Sequence, residues 1–472
     1  MTPRAPLGLL CIAALLGCPA DDTPPAGDTG SSSGGGGSST SLPPPADGST
    51  TAPATTDGSG SAGDASGSTG PAAVCGDEVV GGDEQCDDGN VDNGDDCYAN
   101  CTVPFELAWE LSLDIAGLDD FASEAVTDAA GNIYVAGSTT VTPGDEDMWI
   151  QQITADGRAG WSYIAAGPGM DLDHFRSIAW LDDHLIAAGG TTTMTGYDAM
   201  VRRIDPSDQS LVWEVTFDGP SDVEQDEVIS DVTVTADGNI VVAGNIGATD
   251  ESLDAWVALL DDTGALQWEM TYDGAQGLYD AAAGVVVADD GTIHVVGRED
   301  GASSDIGFHA TYDQAGTQLS MEPLSFVASD IAVDPGSGAF VVAGYGGGAG
   351  VSGCNVRYYD PSFSEQWVVG SSGTPAVACF GVTFGPDGDI YTAGQSVVVG
   401  QQGNYWVGRI RADAELLWHD SHNNRLDLYD SANYLLTDDT GAAISVGFEF
   451  VSGQGQNLFM RKYVQGPTPP PK

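Results

Sequence analysis

A short apolar segment that ends in glycine recurs along the chain at intervals of about 50 residues. Each copy follows a turn rich in Asp, Gly and Asn, such as 128–132, of the kind that joins antiparallel strands. A short apolar strand precedes the turn, and a strand commonly opened by Asp or Asn follows the glycine. The pattern predicts repeated β-units without a helical period. The seven copies are IYVAG (133–137), LIAAG (185–189), IVVAG (240–244), IHVVG (293–297), FVVAG (340–344), IYTAG (390–394) and AISVG (443–447).

A fourth strand in most units carries a tryptophan, which we expect to pack between neighbouring units: Trp161, Trp213, Trp268, Trp367 and Trp418. Seven units of four short strands predict an all-β fold, a seven-bladed β-propeller over 105–466, because radial closure protects the sheet edges. Trp109 lies in an additional strand of the fourth type before the first complete unit, and the last unit stops after its third strand. We therefore expect the N-terminal strand to complete the seventh blade.

These repeats resemble the bacterial β-propeller repeat family, whose signature is a strand, Asp-x-x-Gly-Asn and a strand that ends in glycine. The segment 261–268, DDTGALQW, is similar to the turns of quinoprotein-like propellers. The resemblance implies the propeller fold and leaves the activity open, because propellers host many functions.

The N-terminus carries an export signal. Arg4 precedes an apolar stretch, 7–16, that is too short to span a bilayer, so 1–17 is predicted to be a signal peptide. The segment LLGC (15–18) resembles a bacterial lipobox, which implies cleavage before Cys18 and lipid attachment to its sulfur. Ordinary secretory cleavage is the alternative. We expect a lipoprotein at the outer membrane or cell surface, and otherwise a secreted protein.

Residues 18–74 are predicted to form a disordered linker behind the lipid anchor. They consist almost wholly of Gly, Ser, Thr, Pro, Ala and Asp and contain no aromatic residue, so they cannot bury enough apolar area to fold. The Pro-rich residues 467–472 form a short tail after the propeller.

A cysteine-rich acidic module follows the linker at 75–101. It holds four cysteines, nine acidic residues and no basic residue. Exported chains keep disulfides, so we expect two bridges with three possible pairings among Cys75, Cys86, Cys97 and Cys101. Zinc is the alternative, although the Cys-x2-Cys pairs of zinc ribbons are missing. Cys354 and Cys379, in neighbouring blades, are expected to form a further bridge.

The module resembles the cysteine-rich repeat of myxobacterial surface proteins, through CGD (75–77), CDDGN (86–90) and GDDC (94–97), although Asp96 replaces the usual Gly. That repeat has no settled activity. The same segment crowds oxygen ligands that suit a calcium ion. A disulfide-stapled turn with solvated acids is the alternative. The candidate ligands are Asp87, Asp88, Asn90, Asp92, Asp95 and Asp96.

The excess of acidic over basic residues restricts the classes of partner that the chain can bind. The chain has 472 residues, of which 70 are acidic and 13 basic, for a net charge of −57. This balance argues against nucleic acid, which needs a basic footprint, and against adsorption to an anionic membrane. Calcium, cationic polymers and basic proteins remain compatible with the charge.

Five aspartates stand at nearly the same place before the glycine-ending strands, where the inner strands begin near one mouth of the channel. They could form a cation site or a funnel for basic ligands. The alternative, which we favour, is that each one binds backbone amides of its own loop. No His-Glu-x-x-His or Gly-x-Ser-x-Gly motif is present, and no catalytic residue is assigned. The five are Asp120, Asp173, Asp226, Asp280 and Asp430.

Together these observations predict a monomer that binds a surface protein or polysaccharide on one propeller face without catalysis. Two alternatives stay open. One is an enzyme, either a quinoprotein-like oxidoreductase or a polysaccharide-active protein, that uses the carboxylates at the channel mouth. The other is a structural spacer of the envelope.

Overall fold

A computed structural model describes the chain from residue 74 to residue 466. Within that span it covers 74–81, 84–91, 97–169, 172–193, 196–219, 226–248, 252–301, 305–346, 353–370, 377–397, 401–424 and 428–466. The predicted signal peptide, Cys18, almost all of the predicted linker and the tail 467–472 lie outside the described residues, as do three candidate calcium ligands, Asp92, Asp95 and Asp96. No helix in the described ranges is long and apolar enough to cross a membrane.

The described residues form 28 β-strands in seven antiparallel sheets of four strands, which confirms the predicted all-β, seven-bladed propeller. The first strand, β1, spans Phe105–Leu113. Blade 1 contains β2 (Asp120–Thr127), β3 (Ile133–Thr142), β4 (Asp145–Ile153) and β5 (Ala159–Ala165). Blade 2 contains β6 (Asp173–Leu181), β7 (His184–Thr192), β8 (Tyr197–Asp205) and β9 (Ser210–Phe217). Blade 3 contains β10 (Val228–Val234), β11 (Ile240–Gly247), β12 (Leu253–Leu260) and β13 (Leu266–Tyr272).

The remaining four blades follow the same order. Blade 4 contains β14 (Asp280–Val287), β15 (Ile293–Glu299), β16 (Ile306–Tyr312) and β17 (Gln318–Leu324). Blade 5 contains β18 (Val327–Val333), β19 (Phe340–Tyr345), β20 (Cys354–Tyr359) and β21 (Glu365–Gly370). Blade 6 contains β22 (Val377–Phe384), β23 (Ile390–Val397), β24 (Gly403–Ile410) and β25 (Leu416–His422). Blade 7 contains β26 (Ser431–Thr437), β27 (Ala443–Val451) and β28 (Gly455–Gln465).

The first strand of each blade lies innermost and packs against the first strand of the next, from β2 through β26 and back to β2. Because the strands of a blade are antiparallel, the first strands begin on one face of the ring, which we call the loop face. The short turns that join first to second strands and third to fourth strands lie on the opposite face, the turn face. The apolar core lies between the sheets, where the second and third strands are almost fully buried.

The N-terminal strand closes the ring as predicted. β1 pairs antiparallel with β28, so the seventh sheet has the order β1-β28-β27-β26. Arg461 on β28 secures this closure from two sides, with ion pairs of 2.6 Å to Glu110 on β1 and 2.7 Å to Asp420 on blade 6. Residues far apart in sequence therefore hold the first and last segments of the propeller together.

Tryptophans of several outer strands pack against a turn of the next blade. The Trp213 indole N–H donates to the Asp262 carbonyl oxygen at 3.1 Å, and its ring lies against Gly264. Trp109 on β1 lies in the same way against Gly157 of blade 1. These turn glycines have positive φ, a backbone conformation that glycine adopts without strain. The absence of a Cβ also leaves space for the tryptophan ring.

Three disulfides join the six cysteines of the described ranges: Cys75–Cys101, Cys86–Cys97 and Cys354–Cys379. The last one connects the third strand of blade 5 to the first strand of blade 6. The cysteine-rich module lies against the propeller through Tyr98, which is 1% exposed and packs with Leu417 and Trp418 of β25. The module therefore covers the outer strand of blade 6.

Replacement of Gly157 by Ala tests the packing that closes the ring. Gly157 and Gly388 both have φ of +80°, but a Cβ at Gly157 would lie 2.6 Å from the Trp109 ring, whereas a Cβ at Gly388 meets nothing within 4 Å. Both variants lose about 1–2 kcal/mol through backbone strain. Gly157→Ala should lose about 1–3 kcal/mol more through overpacking, measured by denaturant unfolding. Equal losses in the two variants would show that the Trp109 contact contributes nothing.

Candidate functional site

The aspartates that open the first strands of blades 1 and 2 bind their own loops. Asp120 is fully buried, and its carboxylate accepts hydrogen bonds from the Ile115 N–H at 2.7 Å and the Thr139 hydroxyl at 2.5 Å. Asp173 accepts from the Thr191 hydroxyl at 2.7 Å in the same arrangement. Each carboxylate therefore connects, by hydrogen bonds, the loop that enters its blade with the end of the second strand.

The same arrangement is present in blades 4 and 7. Asp280 accepts from the N–H groups of Gly274 at 2.5 Å and Asp300 at 3.0 Å. Asp430 accepts from the N–H groups of Asn424 at 2.9 Å and Phe450 at 2.8 Å. The four buried carboxylates therefore bind backbone and hydroxyl donors of their own blades, which is the arrangement expected of the loop-binding alternative.

In blade 3 the equivalent position belongs to Glu227, and Asp226 lies one residue away from it. Asp226 is exposed, and its carbonyl oxygen accepts a hydrogen bond from the Asn245 side-chain amide at 2.9 Å. Glu227 is 2% exposed, and its carboxylate accepts from the Gly247 N–H at 3.1 Å. The sequence offers two adjacent acids, and only the strand register shows which one points inward.

Burial raises the pKa values of these strand-opening acids. The pKa of Asp120 and the pKa of Asp280 rise to about 6, and the pKa of Glu227 rises to about 7. Hydrogen bonds from backbone N–H groups act in the opposite direction. Asp218 also repels the Glu227 charge, because the carboxylates of Asp198, Asp218 and Glu227 lie within 4.8 Å of one another.

A second set of side chains surrounds the central axis, four residues farther along each first strand. Glu124, Asp231 and Asp330 belong to blades 1, 3 and 5, which are not neighbours, yet the Glu124 carboxylate is repelled by both aspartates. Because carboxylates of blades that are not neighbours repel one another in this way, these side chains face the central axis. The seven equivalent positions, which we call the axial ring, are Glu124, Ser177, Asp231, Gly284, Asp330, Gly381 and Tyr434.

Three members of the axial ring accept hydrogen bonds from the first strand of the following blade. The bonds run from the Val232 N–H to the Ser177 hydroxyl (2.9 Å), from the Val285 N–H to Asp231 (2.7 Å) and from the Val382 N–H to Asp330 (2.8 Å). Gly284 and Gly381 occupy ring positions where a Cβ would lie 3.2 Å or less from atoms of the following blade. At the axial-ring position, the carboxylates of blades 3 and 5 therefore alternate with the glycines of blades 4 and 6.

Burial raises the pKa values of the axial carboxyl groups as well. The pKa of Glu124 and the pKa of Asp330 lie well above their ordinary values, because of burial first and repulsion from Asp231 second. We did not select these residues from the sequence. The signal was available, since each lies four residues after a strand-opening position of the repeat.

On the loop face, blade 2 presents a histidine, an arginine and a tyrosine at the channel mouth. A β-bulge between Phe175 and Ser177 displaces Arg176 from the ladder. Its Nε–H donates to His174 Nε2 at 2.8 Å, and His174 Nδ1 lies 2.6 Å from the Tyr197 hydroxyl. Burial, assisted by the Arg176 charge, holds the pKa of His174 well below its ordinary value, so the ring is neutral at pH 7.

Blades 4 and 5 contribute two tyrosines and a second arginine to the same mouth. The Arg298 guanidinium lies 4.4 Å above the centre of the Tyr279 ring and 3.7 Å from the Asp300 carboxylate. Burial raises the pKa of Tyr345 to about 12, and the nearby Arg298 charge opposes this rise. The Tyr345 hydroxyl is buried near the Arg298 guanidinium, but none of the described residues makes a hydrogen bond of good geometry with it.

These six side chains form one group, which we call the mouth cluster: His174, Arg176, Tyr197, Tyr279, Arg298 and Tyr345. Burial raises the pKa of Tyr197 and the pKa of Tyr279, and the Arg176 charge acts against the rise in both. All six residues are partly exposed. No repeat pattern in the sequence pointed to them, because they occupy different positions in different blades.

The calcium candidates of the cysteine-rich module are already partly used by the backbone. The Asp87 carboxylate accepts hydrogen bonds from four N–H groups, those of Gly76, Asp77, Glu78 and Gly89, at 2.9–3.1 Å. Despite an opposing desolvation effect, these bonds lower the pKa of Asp87. Asp88 accepts from the Asn90 N–H at 3.2 Å.

One shallow depression lies on the turn face of blade 6. It has a volume of about 330 Å³ and is lined by Arg411, Asp413, Ala414 and Glu415. Arg411 forms ion pairs with both acids of this turn. The depression is far from the channel mouth and offers no set of unpaired groups for a ligand.

No protein-family model matches the chain, and the comparison with curated proteins finds no relative. The chain is similar to several solved structures. The WD40 β-propeller domain of Doa1 is 12% identical, with 75% of this chain and 96% of that chain covered and a TM-score of 0.46. A catalytically inactive virginiamycin B lyase from Staphylococcus aureus is 12% identical, with coverage of 76% and 99% and a TM-score of 0.47. Sqt1 from Chaetomium thermophilum is 11% identical, with coverage of 76% and 100% and a TM-score of 0.43. These likenesses concern the fold alone.

Replacement of Glu227 by Gln tests the raised pKa of this buried acid. The folded-state pKa of about 7 exceeds the ordinary value of 4.5, so the stabilising contribution is complete at low pH and is lost as the pH rises through 7. The stability of the natural protein should fall more steeply between about pH 4.5 and 7 than that of the variant, by at most about 3 kcal/mol, and the two should run parallel at higher pH. Unfolding is measured in denaturant across both ranges. Parallel curves for the two proteins in the lower range would contradict the assignment, and the shared background from the other 69 acidic residues cancels in the difference.

Proposed function

We propose that the protein is a non-enzymatic binding protein that engages its partner on the loop face of the propeller, at the mouth cluster. The observation that carries this proposal is the grouping of three tyrosines, two arginines and a histidine at one place on a strongly acidic chain. Tyrosine and arginine are among the side chains that most often dominate binding energies. Their mutual contacts also hold them in place before binding, which lowers the entropic cost of association.

The turn face offers less to a partner. Several of its acids bind the backbone of their own turns: the Asp261 carboxylate, for example, accepts hydrogen bonds from the N–H groups of Thr263 at 2.9 Å and Ala265 at 3.0 Å. Asp313 and Asp360 repeat this arrangement in blades 4 and 5. A face built from such self-satisfied turns supports a structural role.

An enzyme that uses the strand-opening carboxylates is the second candidate. Paired catalytic acids must converge on one substrate position. Here Asp120, Asp173, Asp280 and Asp430 each bind donors of their own blades, so this observation favours binding over catalysis. A structural spacer, the third candidate, would have no need of the mouth cluster.

Capture experiments test the proposed function. The full chain, immobilised through its N-terminal segment, should retain a saturable surface protein or polysaccharide from a cell-envelope extract. Tyr279→Ala should weaken this retention by about tenfold or more, because it removes one aromatic ring and with it the surface against which the Arg298 guanidinium packs. Asp439→Ala, an exposed change on the turn face, is the control and should bind normally. Retention that is indifferent to Tyr279→Ala would move the binding surface elsewhere, and an absence of any retained partner would favour the spacer.

We also propose that the protein is anchored at the outer membrane or cell surface by a lipid on Cys18, a proposal that rests on the N-terminal sequence. Cys18→Ala should move the protein from the membrane fraction to the soluble fraction, because a short signal sequence provides no stable anchor after cleavage. Cys11→Ala alters a cysteine inside the apolar stretch and serves as the matched control. Unchanged membrane partitioning of the Cys18 variant would refute lipidation.

A further inference from the structure

The mouth cluster has a chemical character that narrows the partner beyond the proposed function. Tyr197, Tyr279 and Tyr345 provide partly exposed aromatic rings on blades 2, 4 and 5. Between them lie planar polar groups, the guanidinium groups of Arg176 and Arg298. Flat apolar rings beside fixed donors and acceptors suit a ligand that has both C–H faces and hydroxyl groups.

The charges around the mouth disfavour ions of either sign. Arg176 and Arg298 lie at its centre, which opposes a cationic ligand. Asp226, Asp300 and Asp305 lie close enough to oppose the effect of the arginines on Tyr279 and Tyr345, and the whole chain carries a charge of −57, which opposes an anionic ligand. A neutral ligand avoids both penalties.

The polar groups of the cluster are arranged as preformed pairs. Arg176 is held by His174, and Arg298 is held by Tyr279 and Asp300, so the guanidinium groups do not need to be ordered by the ligand. The Tyr345 hydroxyl is buried without a hydrogen-bond partner among the described residues, which is costly unless a ligand supplies one. A hydroxyl-rich ligand can supply that partner.

We infer that the mouth cluster is a binding site for a neutral polysaccharide, with the tyrosine rings contacting the sugar faces and Arg176, Arg298 and the Tyr345 hydroxyl binding sugar hydroxyls. This inference rests on the proposed function and commits it to one of the two partner classes that the sequence left open. A protein partner is an outcome of the test.

Titration calorimetry on the full chain tests the inference. The probes are neutral hexasaccharides of glucose, mannose and galactose, an acidic galacturonate hexamer and a basic glucosamine hexamer, each at low and at high salt. At least one neutral probe should bind with an affinity that salt leaves unchanged, because no charge pairs are formed. Binding of only the acidic or only the basic probe, weakened by salt, would overturn the inference in favour of an ionic ligand.

Two conservative variants locate the binding at the mouth cluster. Tyr345→Phe removes only a hydroxyl without an internal partner, so it should leave the unfolding midpoint unchanged and weaken the neutral sugar several-fold. Arg298→Lys keeps the charge but loses the planar stack, and should weaken binding by about tenfold. Tyr391→Phe, which removes another buried and unpartnered hydroxyl in blade 6, is the matched control and should bind normally.

The outcomes separate the inference from the proposed function. If none of the neutral probes binds while the capture experiment retains a protein that Tyr279→Ala releases, the polysaccharide inference fails and the binding function stands. If neither experiment finds a partner, both fail. Neutral sugar binding that survives in Tyr345→Phe and Arg298→Lys would place the sugar site elsewhere and would also overturn the inference.

Discussion

The close approach of neighbouring first strands around the central axis is the constraint on which the rest of the propeller depends. At the axial ring, a side chain of one blade accepts the backbone N–H of the next blade, as Asp231 does for Val285 and Asp330 does for Val382. At Gly284 and Gly381 a Cβ would lie 3.0–3.2 Å from atoms of the following blade, so a larger residue would force a neighbour to move. These contacts hold neighbouring first strands together, and the axial carboxyl groups are buried among them.

Buried acids in this protein are therefore mainly structural. Strand-opening acids such as Asp120 and Glu227 hold loops, axial acids such as Asp330 join blades, and both groups have raised pKa values because burial disfavours their charge. Their hydrogen bonds are already made within the ring. The mouth cluster differs because its tyrosine, arginine and histidine side chains are grouped at partly exposed positions at the channel mouth.

Segments outside the seven repeats complete the ring. β1 supplies the missing outer strand of blade 7, and Arg461 joins it to blade 6 through Glu110 and Asp420. The cysteine-rich module is bound to the same region, where Tyr98 packs under Trp418. The N-terminal part of the chain thus contributes directly to the closure of the propeller and to the cover of its sixth blade.

The sequence by itself determined the repeat, the number of blades and the closing strand. These features depend on local chemistry that recurs along the chain, namely the glycine turns, the strand alternation and the tryptophan of most outer strands. The pairing of the four module cysteines, the choice of Glu227 over Asp226, the axial ring and the mouth cluster were decided only by the tertiary structure. They bring together residues of different blades, and which side chains meet there depends on ring closure and on one-residue shifts of register that no single repeat contains.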